Sequence, residues 1–238
     1  MKDDLGDTPS ESAVRKTTQE VICGDCLEYM KTLPDKSFDL VLTDPPYGIR
    51  YNNDDLNRKS NASYEDIEND AGEINYKELV RECMRIGKRT IIFGAINFLV
   101  DLPYKGIWIC WDKRTNERAD KAFGSPFELA WCDKETGYDK IYRIIHGGVI
   151  NNDGANQPRF HPTQKPVELM RQIIDDFSPF QSRFEKSEPF SILDPFLGSG
   201  TTLIAARMLK RNATGIEISK EYCSIAQARL DATPFPMF

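Results

Sequence analysis

Residues 191–202 read Ser191-Ile192-Leu193-Asp194-Pro195-Phe196-Leu197-Gly198-Ser199-Gly200-Thr201-Thr202, and Gly215-Ile216-Glu217-Ile218-Ser219 follows shortly after. An apolar strand ending in an acid, a glycine-rich turn, a helix start and a second strand ending in an acid make the layout of a nucleotide-type site on an α/β sheet. Gly198 and Gly200 let the backbone approach a ligand closely, and Glu217 is placed to accept both hydroxyls of a ribose.

The ligand class follows by elimination. A phosphate-binding P-loop needs a lysine after its second glycine, and none follows Gly200. The dinucleotide fingerprint needs a small residue at position 203, which is Leu203. Asp194 beside the turn repels a pyrophosphate and suits a cation such as the α-ammonium of a methionine moiety. S-adenosyl-L-methionine therefore fits better than ATP or NAD.

Outward from this stretch, short β-rich runs alternate with amphipathic segments, which predicts an α/β domain with a largely parallel sheet. Strands are expected at 21–23, 40–43, 90–93, 107–111, 129–132, 141–145, 192–193 and 214–218, and helices at 27–33, 76–86, 167–177, 201–209 and 221–230. Pro166 suits a first helical turn, and Ser219 offers a hydroxyl cap. The polar start, residues 1–19, reads as a flexible tail and 20–238 as a single domain. Irregular stretches at 51–75, 113–124 and 146–159 read as binding or mobile loops.

A second motif, Leu40-Val41-Leu42-Thr43-Asp44-Pro45-Pro46-Tyr47, runs a strand into an acid, two prolines and an aromatic. The prolines supply no N–H and hold an extended path, so a rigid cluster of acceptors forms at a strand's carboxyl end. An exocyclic base amine is a poor nucleophile because its lone pair is delocalised. Accepting its two hydrogens on the Asp44 carboxylate and the Pro45 carbonyl would pyramidalise the nitrogen and aim that lone pair, while Tyr47 stacks on a flipped base. An ordinary Asp-Pro-Pro turn is the bland alternative.

In the third motif, Arg159-Phe160-His161-Pro162-Thr163-Gln164-Lys165-Pro166, His161 shapes a loop more readily than it acts as a base. Thr163 and Lys165 are candidates for the cofactor's methionine carboxylate, against a solvated helix start. Cys23-Gly24-Asp25-Cys26 lacks a second cysteine pair or nearby histidines, so no metal is expected, and Asp25 reads as an acceptor for the cofactor's adenine amine.

Composition sets limits on partners. The net charge of −6 and pI near 5.1 weigh mildly against nucleic acid, although Arg50, Lys113, Arg114 and Arg118 offer local basic clusters. No long apolar run or signal-like start is present, so no membrane association is expected, and six scattered cysteines fit buried thiols in a reducing cytoplasm.

Together, Thr43-Asp-Pro-Pro-Tyr47, His161-Pro-Thr-Gln-Lys-Pro166 and Asp194-Pro-Phe-Leu-Gly-Ser-Gly-Thr-Thr202 resemble the β-class amino-DNA methyltransferases, over about residues 20–231. The resemblance implies a Rossmann-like methyltransferase fold with a mixed, mostly parallel sheet of about seven strands and circularly permuted motif order. It implies methyl transfer from S-adenosyl-L-methionine, with S-adenosyl-L-homocysteine as product, to a flipped base in double-stranded DNA. Adenine N6 is favoured by the Asp-Pro-Pro-Tyr spelling. Cytosine N4, RNA and protein glutamine are the alternative acceptors.

By the same resemblance Asp44, Pro45, Pro46 and Tyr47 hold the target base. Asp25, Cys26, Asp194, Pro195, Phe196, Gly198, Ser199, Gly200, Thr201, Thr202 and Glu217 line the cofactor pocket, with Thr163 and Lys165 beside them. The target-recognition insertion, around 133–160, is short, with Asn151, Asn152 and Arg159 as candidate DNA contacts. A homodimer and a cognate restriction endonuclease are compatible partners, in the cytoplasm of a bacterial, archaeal or phage-infected cell.

Overall fold

The protein is described from a computed structural model, over residues 17–46, 74–103, 105–114, 125–134, 137–147, 150–151, 164–178 and 189–236. Its main sheet has eight strands: β1 (Gln19–Cys23), β2 (Leu40–Thr43), β3 (Thr90–Phe93), β4 (Ile107–Asp112), β5 (Phe127–Cys132), β6 (Lys140–Arg143), β9 (Ser191–Asp194) and β10 (Asn212–Glu217). Their spatial order is β1-β10-β9-β2-β3-β5-β4-β6. Every neighbouring pair is parallel except the two made by β5, which runs against β3 and β4. These are the eight runs expected from the sequence, against the about seven that the family resemblance implies. A small hairpin, β7 (His146–Gly147) with β8 (Ile150–Asn151), lies in a stretch that reads as irregular in sequence.

The strands are legible because both faces are covered. In β2 and β3 every residue is buried, so they read as continuous apolar runs rather than as alternating ones. Leu40, Leu42, Ile91 and Phe93 face one apolar cluster, while Val41 and Ile92 face the other. The first cluster takes the apolar sides of α3 (Val167–Phe177), α4 (Thr201–Met208) and α5 (Lys220–Ala232). The second takes α1 (Cys26–Lys31), α2 (Tyr76–Ile86) and the 3-10 segment Ala95–Asp101. Ala95–Asp101 is not anticipated by apolar spacing; it starts from Gly94 at φ 64°, a left-handed turn directly off β3.

Local chemistry sets the helix starts. The Asp25 carboxylate accepts from the Glu28 N–H at 2.9 Å, Asn75 caps α2 through the Glu78 N–H, and Ser219 caps α5 through the Tyr222 N–H. Pairing along this edge extends ahead of β1. Thr18 donates its N–H to Asn212 Oδ1 at 3.0 Å and accepts from the Ala213 N–H, so chain pairing with β10 starts before Gln19.

The topology fixes where ligands bind. From β9 the chain proceeds outward to β10, whereas from β2 it proceeds outward to β3 on the other side. The boundary between β9 and β2 is thus the point where the winding reverses, and crevices in such sheets open there at the strands' C-terminal ends.

Candidate active site

Four adjacent parallel strands deliver acidic residues to one edge of the sheet. β1 ends beside Asp25, β10 ends at Glu217, β9 ends at Asp194 and β2 ends beside Asp44. Cys23 is in register with Glu217, Gly215 with Asp194, and Val41 with Leu193. The two motifs that the sequence separates by about 150 residues therefore leave neighbouring strands into one crevice.

The turn between β9 and α4 is held from within. Glu217 accepts from the Gly198 N–H at 2.8 Å and from the Ser219 N–H at 2.9 Å, so its carboxylate is fixed at the mouth of the turn. Asp194 is buried, and it accepts from the Thr202 hydroxyl at 2.6 Å and the Phe196 N–H at 3.1 Å. Burial pushes its carboxyl up to about 6 despite those two bonds. Arg229 of α5, also buried, donates to the Ser199 carbonyl at 2.6 Å and to its hydroxyl at 2.8 Å.

The two glycines of the turn both have positive φ, 54° at Gly198 and 90° at Gly200. At Gly200 the protein itself is close: a Cβ there would meet Ala226 Cβ at 3.0 Å and Cα at 3.1 Å. Gly215, which has no distinguishing signal in the sequence, is equally constrained, since its Cβ would press on Leu197 Cδ1 at 2.5 Å.

Beside the turn, the Asp-Pro-Pro segment is anchored at both ends. The Tyr76 hydroxyl donates to the Pro46 carbonyl at 2.6 Å, and the Tyr76 ring stacks on Phe98 with centroids 4.6 Å apart. Lys165 donates to Asp44 Oδ2, and its ammonium also lies 3.0 Å from Glu128 Oε2 and 5.2 Å from the Phe93 ring centroid. Burial disfavours the Lys165 charge, but the two carboxylates more than reverse this and raise its pKa. The motif alone points Lys165 at a methionine carboxylate; in the structure its partners are Asp44 and Glu128. Its neighbour Gln164 accepts from the Ser199 hydroxyl at 3.1 Å. Two consecutive residues thus join the Asp44 segment to the glycine turn.

The donor set is suited to a particular ligand. Asp25, Asp194 and Glu217 crowd one edge, and the 194–202 turn contains no lysine or arginine. A polyphosphate would be repelled, whereas a ligand with hydroxyls and net positive charge fits. Cysteine nucleophiles are also disfavoured: burial, with Asp25 adding to it, pushes the Cys26 thiol up to about 12, and burial first and the Cys23 thiol next push Cys223 up to about 12. Among the described residues no cluster of His, Cys, Asp or Glu could hold a metal ion.

A family model described as DNA methylase, N6_N4_Mtase, matches residues 102–228, more than half of the chain. The chain belongs to the N6/N4 DNA methylase family. The methylase is 26% identical to the type II methyltransferase M.HinfI of Haemophilus influenzae, across 88% of this chain and 67% of that protein. It is 28% identical to the type II methyltransferase M.HpaI of Haemophilus parainfluenzae, across 90% and 74%. In fold it is similar to a DNA modification methylase of Thermus thermophilus, TTHA0409, solved with S-adenosyl-L-methionine (TM-score 0.58, 20% identity, 93% of this chain and 96% of that one). It is likewise similar to the cytosine-N4-specific PvuII DNA methyltransferase (TM-score 0.55, 15% identity, 90% and 87%).

Several expected contacts fall elsewhere. Tyr47, Arg50, Arg118, Asn152, Arg159, His161 and Thr163 lie outside the described residues, as do 135–136, 148–149 and 152–160 of the 133–160 insertion. Lys113 pairs with Glu128 and sits 4.8 Å from the Trp111 ring centroid, and Arg114 grips Asp112 through Nε at 2.8 Å and a second nitrogen at 3.1 Å. Both cations are engaged by carboxylates in the methylase, so a phosphate would compete with those bonds. Tyr76, Glu128 and Arg229 escape the sequence reading altogether. Only Glu128 leaves a trace there, as a charge inside the apolar run Phe127–Cys132.

Proposed function

We propose that this methylase transfers a methyl group from S-adenosyl-L-methionine to the exocyclic amine of a flipped-out base in double-stranded DNA, and that the base is adenine and the atom N6. The observation that carries the reading is the meeting of Asp44 and the 194–200 turn at the ends of neighbouring parallel strands. The cofactor supplies an electrophilic methyl on a sulfonium and departs as S-adenosyl-L-homocysteine.

The residues divide the work. Glu217, preset by the Gly198 and Ser219 N–H groups, accepts the ribose hydroxyls, and Asp25 receives the adenine amine of the cofactor. Asp194 acts mainly on the turn, fixing the Phe196 N–H and the Thr202 hydroxyl, and its charge favours a cationic ligand. Asp44 and the Pro45 carbonyl accept the two amino hydrogens of the target, which holds its lone pair toward the methyl. The Pro46 carbonyl is already bonded to Tyr76 and serves to hold the segment still. Adenine over cytosine rests on the Asp-Pro-Pro-Tyr spelling, and the names of the type II relatives support a role alongside a restriction endonuclease.

The test is tritium transfer from labelled cofactor to duplex DNA, followed by nucleoside analysis of the digested product. N6-methyladenine is expected; N4-methylcytosine would move the assignment to cytosine, and label in RNA or protein alone would sink it. Asp44→Ala should abolish transfer while cofactor affinity by calorimetry stays within about threefold, and Glu217→Ala should weaken cofactor at least about tenfold. Both variants losing only DNA affinity would reverse the roles.

A further inference from the structure

Asp44 is the end of a row of four alternating charges. Lys165 bridges Asp44 and Glu128, and Glu128 in turn takes Lys113, which follows directly on β4. Along the row the side chains are 15%, 6%, 30% and 20% exposed, so Lys165 is its most buried member and the Glu128–Lys113 end is the more open one. Glu128 reaches this place because β5 is antiparallel. Its second residue lies at the edge where all the other strands have their C-terminal ends, paired with Trp111 near the end of β4.

The charge balance gives Glu128 a task. A buried ammonium with one carboxylate partner leans wholly on that partner, and its position follows whatever the partner does. A second carboxylate fixed on a strand holds the ammonium from the other side. Burial opposes the Glu128 charge, yet Lys165 and then Lys113 hold its carboxyl below the ordinary range, so it stays ionised at neutral pH. The Phe93 ring face under Lys165 closes a further direction of escape.

We infer that Glu128 is a positioning residue for methyl transfer: through Lys165 it sets where the Asp44 carboxylate stands against the target amine. The inference rests on the role given to Asp44 above. In this role Glu128 acts through Lys165 and not on the base or the cofactor directly.

The test separates positioning from scaffolding by what it leaves intact. In Glu128→Gln, kcat for DNA methylation should fall about 10- to 100-fold, while calorimetric cofactor affinity and the KM for cofactor stay at wild-type values. Glu128→Asp, with the charge kept on a shorter arm, should recover part of the lost kcat. An unchanged kcat in Glu128→Gln overturns the inference, as does a Glu128→Asp variant no better than Gln. Should the Gln variant fail to bind cofactor, Glu128→Asp decides: reduced kcat with intact affinity supports positioning, and kcat and affinity falling together refutes it. If the wild type methylates DNA and Asp44→Ala does not, a normal Glu128→Gln defeats only this inference; if Asp44→Ala keeps full turnover, the underlying reading fails first.

Discussion

Burial raises the Asp194 carboxyl from 3.8 to about 6, with the Thr202 hydroxyl and Phe196 N–H pulling the other way. Between those values the folded protein holds a proton that the unfolded chain has released. Stability therefore falls as pH rises from about 4 to about 6 and stays lower above, by about 3 kcal/mol. Glu128 has the opposite sign, since its depressed pKa adds stability above about 4.5 that is lost as pH falls through its folded value. The two windows barely overlap, which makes Asp194 readable alone. We expect the urea midpoint of the ligand-free protein to be higher at pH 5 than at pH 7.5, and Asp194→Asn to flatten most of that difference. An equal rise in the Asn variant would show that another group is responsible. Such a standing cost is what a site gains by keeping a carboxylate ready for a cationic ligand.

The element that shapes the site is the β9–α4 unit with α5 pressed against it. Gly200 is at once the left-handed residue before α4 and a point where α5 packs against the turn, at Ala226. Gly200→Ala should therefore cost about 1–3 kcal/mol in chemical denaturation, from φ strain together with contact against Ala226. The variant should bind cofactor more weakly as well, because displacing α5 carries the Arg229 brace away from Ser199. A Gly200→Ala protein with wild-type stability and affinity would show that the turn tolerates a side chain. This unit is readable from its residues: the glycines, the acid-ended strands and the Ser219 cap are local signals. The brace is not, since nothing near Arg229 in the sequence distinguishes it from other helical arginines.

At the scale of the whole molecule, a net charge of −6 with Lys113 and Arg114 already paired changes what DNA binding should look like. An arginine that neutralises a phosphate contributes about 0.9 to the slope of log affinity against log salt. Arg114→Ala should lower that slope by clearly less, as measured by anisotropy titrations from low to moderate salt. A full drop of about 0.9 would mean that Arg114 leaves Asp112 to grip the backbone of DNA. Among the described residues no helix is long and apolar enough to cross a membrane. The eight strands of the main sheet, the helices that flank it and the order of the motifs were present in the sequence, because fully buried parallel strands and glycine turns impose composition locally. Tertiary structure alone decided which charges meet. Lys165 finds Asp44 across 121 positions and finds Glu128 on β5, which runs antiparallel to both its neighbours in the main sheet, and no local pattern encodes a partnership that exists only once the sheet has brought distant strand ends to a common edge.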